Sequence, residues 1–561
     1  ATSLLNSRIF KSGSLWLFFI FVLFILVRLP GLGLPYHQDE RVWPDIGGAG
    51  LKGLGGFIHP PMTNFVFILA VNMFGSDNLR YLPFLFSIIN FWLLFYLVKY
   101  KFSKKAALWS VLFFGVAFYA VLASLMIDTD GQILPFFFLV SVISYYKWRD
   151  SLKRKSKVIW GTALVAGVLL GFLTKASFVI VFGAIVLDFL YAHRHLVSRQ
   201  NLLKTFLIVI GLMAIFLSLV LGIMRVLPNS DLSRPLTYWK HFAVFSNRNF
   251  LQISIQFLKS LLYASPLLLA PLLFLNKESV KRLSLFIIFL AIGLIFYLGL
   301  FDFSSGALDR YLQFIIVPLS VIAGVVVNEI FERQGVHGKR RAVILGCIGG
   351  LAIFFLQFLP HFIPALYPKT EWFGRVFNLK WNFLFPFIGG SGPMGFYISW
   401  LFIALIWLTV AILAVVALLK TQWRKQAWIL MLIFGFIYTG VFIEEYLFGK
   451  INGSPPALLK NAVRFIEGNP DIKKIISYNN IGNRELSQIG KYERRLYVAP
   501  KFEPSYINIL KNFKGHYLVI DIPRLHLTSP YAKYFSNCKV IYEESSGKIT
   551  SKIYDCHGIN F

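Results

Sequence analysis

Apolar residues along the first 446 positions fall into long runs almost free of charge, separated by short polar stretches. A bilayer core takes about 20 mainly apolar residues per helix, and somewhat shorter helices still cross when flanking side chains reach outward. By that measure thirteen spans are predicted, at residues 15–29, 80–98, 106–125, 131–146, 158–174, 178–192, 206–226, 251–275, 283–301, 311–330, 343–359, 396–419 and 427–446. The apolar stretch 62–74 is too short for the set and reads as an interfacial or re-entrant helix. The run 15–27 resembles a secretory signal core, but no small-residue cleavage pattern follows and further spans do, so it reads as a signal anchor.

The pattern changes after Asn452-Gly453-Ser454-Pro455-Pro456, where short alternations replace the apolar runs. Helices are predicted at 458–467, 485–491 and 505–513, and strands at 474–478, 495–498 and 516–522, followed by a hairpin turning at Ser545-Ser546-Gly547. The expectation is an all-α polytopic membrane domain over 1–446 and a small soluble α/β domain over 447–561.

Composition agrees. Of 561 residues 57% are hydrophobic and only 15% charged, and the mean hydropathy is +0.65, outside the range of soluble globular chains. A net charge of +30 would suggest nucleic acid in a soluble chain, but here the Lys and Arg sit in short loops between apolar runs. With the N-terminus cytoplasmic, the inside segments hold 25 of the 56 Lys and Arg against three acids, Asp150, Glu278 and Glu332. That is a positive-inside pattern in an integral membrane protein, with no nucleic-acid partner implied. It places the loops 30–61, 128–130, 227–250 and 361–393, and everything after 446, on the extracytoplasmic face. Function is expected there.

Three cysteines exclude a disulfide-rich scaffold and offer no CxxC pair. Cys538 and Cys556 are equidistant from Gly547, so an antiparallel hairpin would set them opposite each other, as a disulfide or as two free thiols. Cys347 lies in a span as a small core residue.

The first outer loop carries Asp39-Glu40 and then His59-Pro60-Pro61 ahead of the interfacial helix. Adjacent carboxylates at the membrane surface suit a general base held against a lipid-borne substrate; an ordinary solvated loop is the other reading. A second acidic set, Asp128-Thr129-Asp130, sits on the same face, where a carboxylate would equally cap the next helix. Cations at that level are few: Arg80, Lys175 and Arg310, the last followed by Tyr311. Fixed Lys or Arg would stabilise the charge developing on a departing phosphate, whereas the plainer reading is snorkelling at helix ends. Glu444 and Glu445 close the last span and would either line a cavity or be solvated. P-loop, HExxH and GxSxG signatures are missing. The histidines show no metal-ligand spacing, so no cofactor is firmly implied, although His59 near two acidic loops leaves room for a divalent metal.

Asp39-Glu40, His59-Pro60-Pro61, Thr129-Asp130, Leu173-Thr174-Lys175 and Arg310-Tyr311, in that order, resemble the GT-C glycosyltransferases, in particular the group of protein O-mannosyltransferases and the lipid A 4-amino-4-deoxy-L-arabinose transferase. The resemblance spans the membrane portion, and thirteen spans with an outer C-terminal domain match the arabinose-transferase architecture. It implies a polyprenyl-phosphate-linked sugar donor such as an undecaprenyl-phosphate sugar, an extracytoplasmic active site and an inverting transfer to a lipid, glycan or protein acceptor. It casts Asp39 as the catalytic acid residue of the first loop and Asp130 as that of the second. Glu40 would orient. Lys175 and Arg310, with His59, Arg80, Tyr311 and Glu444, would contact the donor phosphate or line its cavity. The lipid A enzyme has Lys-Pro-Pro where this chain has His59-Pro60-Pro61, which makes that contact weaker or pH-dependent. A secondary transporter or flippase is the competing class; it would need ionisable groups near span midpoints, and here Asp188 and Arg28 lie near span ends.

Overall fold

The computed structural model describes residues 13–50, 54, 60–194, 248–300, 308–332, 339–365, 370–388, 394–497 and 503–559, with scattered positions between 204 and 240. The chain is mostly helical. Among the described residues eight helices are long and apolar enough to cross a membrane, or nine if Lys104–Val116 and Phe118–Leu125, bent by 63°, count as one broken span. Ala176–Ala192 and Ser284–Gly299 are apolar but shorter, and Pro61–Phe74 forms the short helix expected before the second span. Ile133–Asp150 is long enough but ends in Lys147, Arg149 and Asp150. The chain divides into two compact units, Ala1–Leu32 with Val42–Gly335, and Gly33–Arg41 with Val336–Phe561.

In the first unit the bend at Ala117 is held by an identifiable set of hydrogen bonds. Breaking a helix strands carbonyls that lipid cannot satisfy. The fully buried Arg28 guanidinium supplies the missing donors: Nη1 donates to Gly115 O (2.7 Å) and Phe24 O (2.9 Å), Nη2 to Phe114 O (3.3 Å) and Nε to Ser124 Oγ (2.9 Å). The bend turns Phe118–Leu125 so that the chain emerges at Asp128–Asp130. That loop is fastened at both ends: Arg80 Nη1 donates to Leu125 O (2.5 Å), and Asn90 Nδ2 donates to Gln132 O (2.8 Å) and Oε1 (2.9 Å). Gly131 is required by close approach, since a Cβ there would lie 2.7 Å from both Ala123 O and Gln313 Oε1. Farther along, Asp188 is buried but satisfied by the Tyr145 hydroxyl (2.8 Å), Arg149 (3.3 Å) and the Ser284 hydroxyl.

The second unit contains helices Lys339–Phe355, Trp400–Leu419 and Arg424–Leu447, a short antiparallel pair β1 (Leu384–Phe387) and β2 (Phe396–Ser399), and the C-terminal sheet. Phe396–Ser399, expected as the first turn of a span, is strand instead; the helix starts at Trp400, where the Ser399 hydroxyl accepts the Phe402 N–H (3.4 Å).

The sheet is formed by β3 (Ile475–Tyr478), β4 (Tyr492–Leu496), β5 (His516–Ile520), β6 (Lys539–Ser546) and β7 (Ile549–Asp555), in spatial order β4-β3-β5-β7-β6. β3 pairs parallel with β4 and β5, while β7 pairs antiparallel with β5 and β6. Period-two alternation divides the core between the two faces. Ile475, Leu518 and Ile520 pack with Leu458, Leu459 and Ile466 of helix Pro455–Gly468; Ile476, Tyr478, Tyr517 and Val519 pack with Leu510, Tyr534 and Phe535. The hairpin register starts at Ser546↔Ile549 and shifts by one residue between Val540 and Tyr542, so that Lys539 faces Asp555. That bulge brings Cys538 opposite Cys556, and the two form a disulfide.

A polar knot ties the β6–β7 turn to the helix ends of the same unit. Lys548 Nζ donates to Asn452 Oδ1 (3.0 Å) and Gln357 O (3.4 Å) and lies 3.3 Å from His361 Nδ1. Because an ammonium only donates, Nδ1 accepts, and Nε2–H of His361 donates to Ser399 Oγ (2.7 Å). Burial and the adjacent Lys548 hold the His361 imidazole down at about 4.

Candidate active site

Helix ends in the first unit bring four of the expected residues together. Lys175, just after Arg154–Thr174, reaches Asp130 Oδ2 at 2.5 Å, and Arg310 Nε lies 3.0 Å from Asp128 Oδ2. Both carboxylates are 3% exposed, while the cations keep 19% and 15% of their side chains open. Tyr311 sits between the cations: Lys175 Nζ is 4.4 Å and the Arg310 guanidinium 4.6 Å from its ring centroid, and Arg310 Nη2 donates to its hydroxyl at 2.5 Å. Tyr297 stacks on Tyr311 at 6.0 Å, and its hydroxyl is hydrogen-bonded with Ser177.

Two acids and two bases make this cluster close to neutral as a whole. Burial, the largest influence on Asp130, pushes its carboxyl up, with Asp128 adding and Lys175 and Arg310 opposing. An acid held in so close an ion pair serves better to aim a cation than to abstract a proton. A phosphate arriving here would meet two cations already oriented by their carboxylates, at the partly open end of each pair. Asp130, Ser177, Tyr297, Phe289 and Phe314 also line a small cavity of about 40 Å³. That is room for a few waters and too little for a sugar ring, so a sugar or lipid must displace side chains to enter.

Arg80 is buried and fastens the Leu125 carbonyl, which makes it a positioning residue for the acidic loop in this state. His59 lies outside the described residues, but the helix that follows its Pro60-Pro61 is anchored by Thr63 Oγ1 donating to Thr174 O (2.6 Å), next to Lys175.

Asp39, Glu40 and Glu444 belong to the second unit. Glu40 is 1% exposed and its Oε2 accepts the His37 N–H (2.9 Å), whereas Asp39 beside it is exposed. The two adjacent acids therefore divide the work, Glu40 shaping the turn and Asp39 facing outward. Around the loop stands a basic and aromatic face of the C-terminal domain. Arg484 lies 5.0 Å from the Tyr36 ring centroid, Arg495 Nη1 donates to the Tyr497 hydroxyl (2.7 Å), and Tyr506 meets Tyr497 edge-on at 5.9 Å. Arg41 acts on Tyr492 and Tyr497, and Asp39 adds to the burial that raises the Tyr497 phenol. Glu444 is half-buried and its Oε1 accepts the Lys450 N–H (2.9 Å), closing the turn after its helix.

The resemblance favours Asp130 over Asp128; the structure gives each its own cation. Tyr297 and Ser177 carry no such signal in the sequence. Tyr297 is embedded in an apolar run, and only its polar tip, unusual within a span, could have marked it.

Residues 58–222, which include Arg80, Asp128, Asp130 and Lys175, match the dolichyl-phosphate-mannose-protein mannosyltransferase family. No curated protein matches the sequence. Among solved structures the chain is similar to ArnT from Cupriavidus metallidurans in the apo state, at 13% identity over 96% of this chain and 97% of that one, with a TM-score of 0.54. It is similar to the same protein bound to undecaprenyl phosphate at 13% identity, with the same coverage and a TM-score of 0.51.

Proposed function

We propose that this chain is a membrane glycosyltransferase of the GT-C kind, a reading supported by the match of its 58–222 segment and by its fold, and that it carries out an inverting transfer of a sugar from a polyprenyl-phosphate-linked donor to a lipid, glycan or protein acceptor on the extracytoplasmic face. The observation that carries this reading is the pair of membrane-level cations, Lys175 and Arg310, each aimed by its own buried carboxylate over Tyr311. Undecaprenyl phosphate in the ArnT structure supports that lipid class for the donor.

In the proposed reaction Asp39 takes the proton from an acceptor hydroxyl or amine, whose electron pair attacks the anomeric carbon. The bond from that carbon to the phosphate oxygen breaks, and its electron pair stays on the phosphate. Lys175 and Arg310 stabilise the charge released there. Asp128 and Asp130 hold the cations in place, and Tyr311 sets their spacing. Glu40 orients the loop that presents Asp39. The arginines and tyrosines around that loop, Arg41, Arg484, Arg495, Tyr36, Tyr497 and Tyr506, suit an acceptor that carries sugar rings and negative charge, through stacking and charge-assisted hydrogen bonds. The N-terminus is cytoplasmic and residues 447–561 form the extracytoplasmic domain in this reading.

The test is transfer of radiolabelled sugar from a panel of polyprenyl-phosphate sugars by the purified full chain. Transfer lost in Asp39→Asn, with thermal stability unchanged, supports the assignment. Transfer unaffected by that substitution removes Asp39 as the base, and no transfer from any donor sinks the reading.

A further inference from the structure

We propose that His516, Asp555 and His557 form a binding site for a divalent transition-metal ion of the zinc class, on the C-terminal domain and separate from the residues assigned to sugar transfer. One ligand atom from each residue lies within 4.8 Å of the others.

The register of the sheet builds the site. His516, the first residue of β5, stands opposite Asp555, the last residue of β7, in an antiparallel ladder, so both side chains leave the same face. Two residues later the chain folds back. Asp555 Oδ1 accepts the His557 N–H at 3.0 Å and lies 2.5 Å from His557 Nδ1, and the two imidazoles meet at 5.0 Å with 70° between their planes. His516 is 5% exposed, and His557 closes the outer side with 58% of its side chain open.

The donor set selects the ion. Two imidazoles and one carboxylate favour zinc, cobalt or copper over magnesium or calcium, which take oxygen ligands. With both imidazoles neutral the set carries one negative charge, and Asp471 adds a further acidic influence on His516. Ligand atoms around tetrahedral zinc stand about 3.4 Å apart, so closing the site from separations of up to 4.8 Å takes up to about 1.4 Å of movement, most of it available to His557. Three protein ligands leave a fourth position for water. The ion would join the start of β5 to the segment that follows the Cys538–Cys556 disulfide.

The experiment uses the purified full chain with any affinity tag removed, Co²⁺ as a spectroscopic probe and Zn²⁺ as competitor. The expected result is about one Co²⁺ per chain with visible d–d bands, displaced by Zn²⁺. His557→Gln, at a largely exposed position, removes this binding without changing thermal stability of the metal-free chain. His516→Gln removes it as well, and Asp555→Asn weakens it at least about tenfold. Binding is unchanged in His59→Gln and His526→Gln. Binding that persists in His557→Gln, or is lost in His59→Gln, or is not detected in the wild-type chain, overturns the proposal.

Discussion

The Lys175–Asp130 pair allows structure and chemistry to be separated by a double-mutant cycle. Lys175→Met keeps most of the side-chain volume and removes the charge, leaving a carboxylate that is 3% exposed without its partner at 2.5 Å. Breaking a buried pair on one side typically costs about 3–5 kcal/mol. Lys175 is 19% exposed and Arg310 stands in the same cluster, so the expectation is the lower end, about 3 kcal/mol. Asp130→Asn alone strands the ammonium at the more open end and is expected to cost less, about 2 kcal/mol. In the double variant neither charge is buried, and stability should return to within about 1 kcal/mol of wild type. Transfer should not return. If Lys175 stabilises the departing phosphate, its loss costs about 10²–10³ in kcat whatever stands at 130. Unfolding in detergent micelles gives the stability leg and initial rates with a fixed donor give the other. Unfolding of Lys175→Met within about 0.5 kcal/mol of wild type, or activity that recovers together with stability in the double variant, refutes these roles for the pair.

Other outcomes follow from neighbouring features. Gly131→Ala places a Cβ 2.7 Å from a backbone oxygen that cannot yield, so the Asp128–Asp130 loop must move; about 1–3 kcal/mol of stability and about 10²-fold in rate should be lost, read by unfolding and initial rates. Cys538→Ser with Cys556→Ser opens a loop of sequence separation 18 and should lower the stability of the C-terminal domain by about 3 kcal/mol, with reduced wild type behaving alike in denaturant unfolding. His361 is held at about 4 in the folded chain against its ordinary 6.5, so the unfolded state binds the extra proton first. The contribution of its neutral form is intact above about pH 6.5 and is lost as pH falls toward 4; unfolding midpoints of His361→Gln should therefore be flatter than wild type across that window.

How much of this could be read from the sequence depends on the range of the interaction involved. The C-terminal strands were legible because Ile475 to Tyr478 and His516 to Ile520 carry their instructions locally, in polar boundaries and alternating faces. The β1–β2 pair was not, because Phe396–Ser399 runs without a break into an apolar helix and periodicity cannot divide such a run. Loop 128–130 and the cations were found as residues of the right chemistry on one predicted face. Their pairing, Lys175 with Asp130 and Arg310 with Asp128, spans 45 and 182 positions and comes only from helix packing. The grouping of Gly33–Arg41 with the C-terminal part of the chain is likewise long-range. Asp39 and Glu40, equivalent as letters, are distinguished only once Glu40 turns inward to the His37 N–H.

Arg28 has a bearing on how the membrane portion is assembled. Of the carbonyls it serves, Phe24 O lies in its own helix, but Gly115 O and Phe114 O come 87 and 86 positions later, so during synthesis the guanidinium emerges before most of its acceptors exist. Until Phe114 and Gly115 arrive its Nη2 and part of its Nη1 donor capacity lack these carbonyl acceptors. The bent pair, for its part, cannot settle in lipid until that cation caps it. The first helix and the 104–125 segment thus complete each other's hydrogen bonding, which ties the end of the first span to the shape of the chain that leads into Asp128 and Asp130.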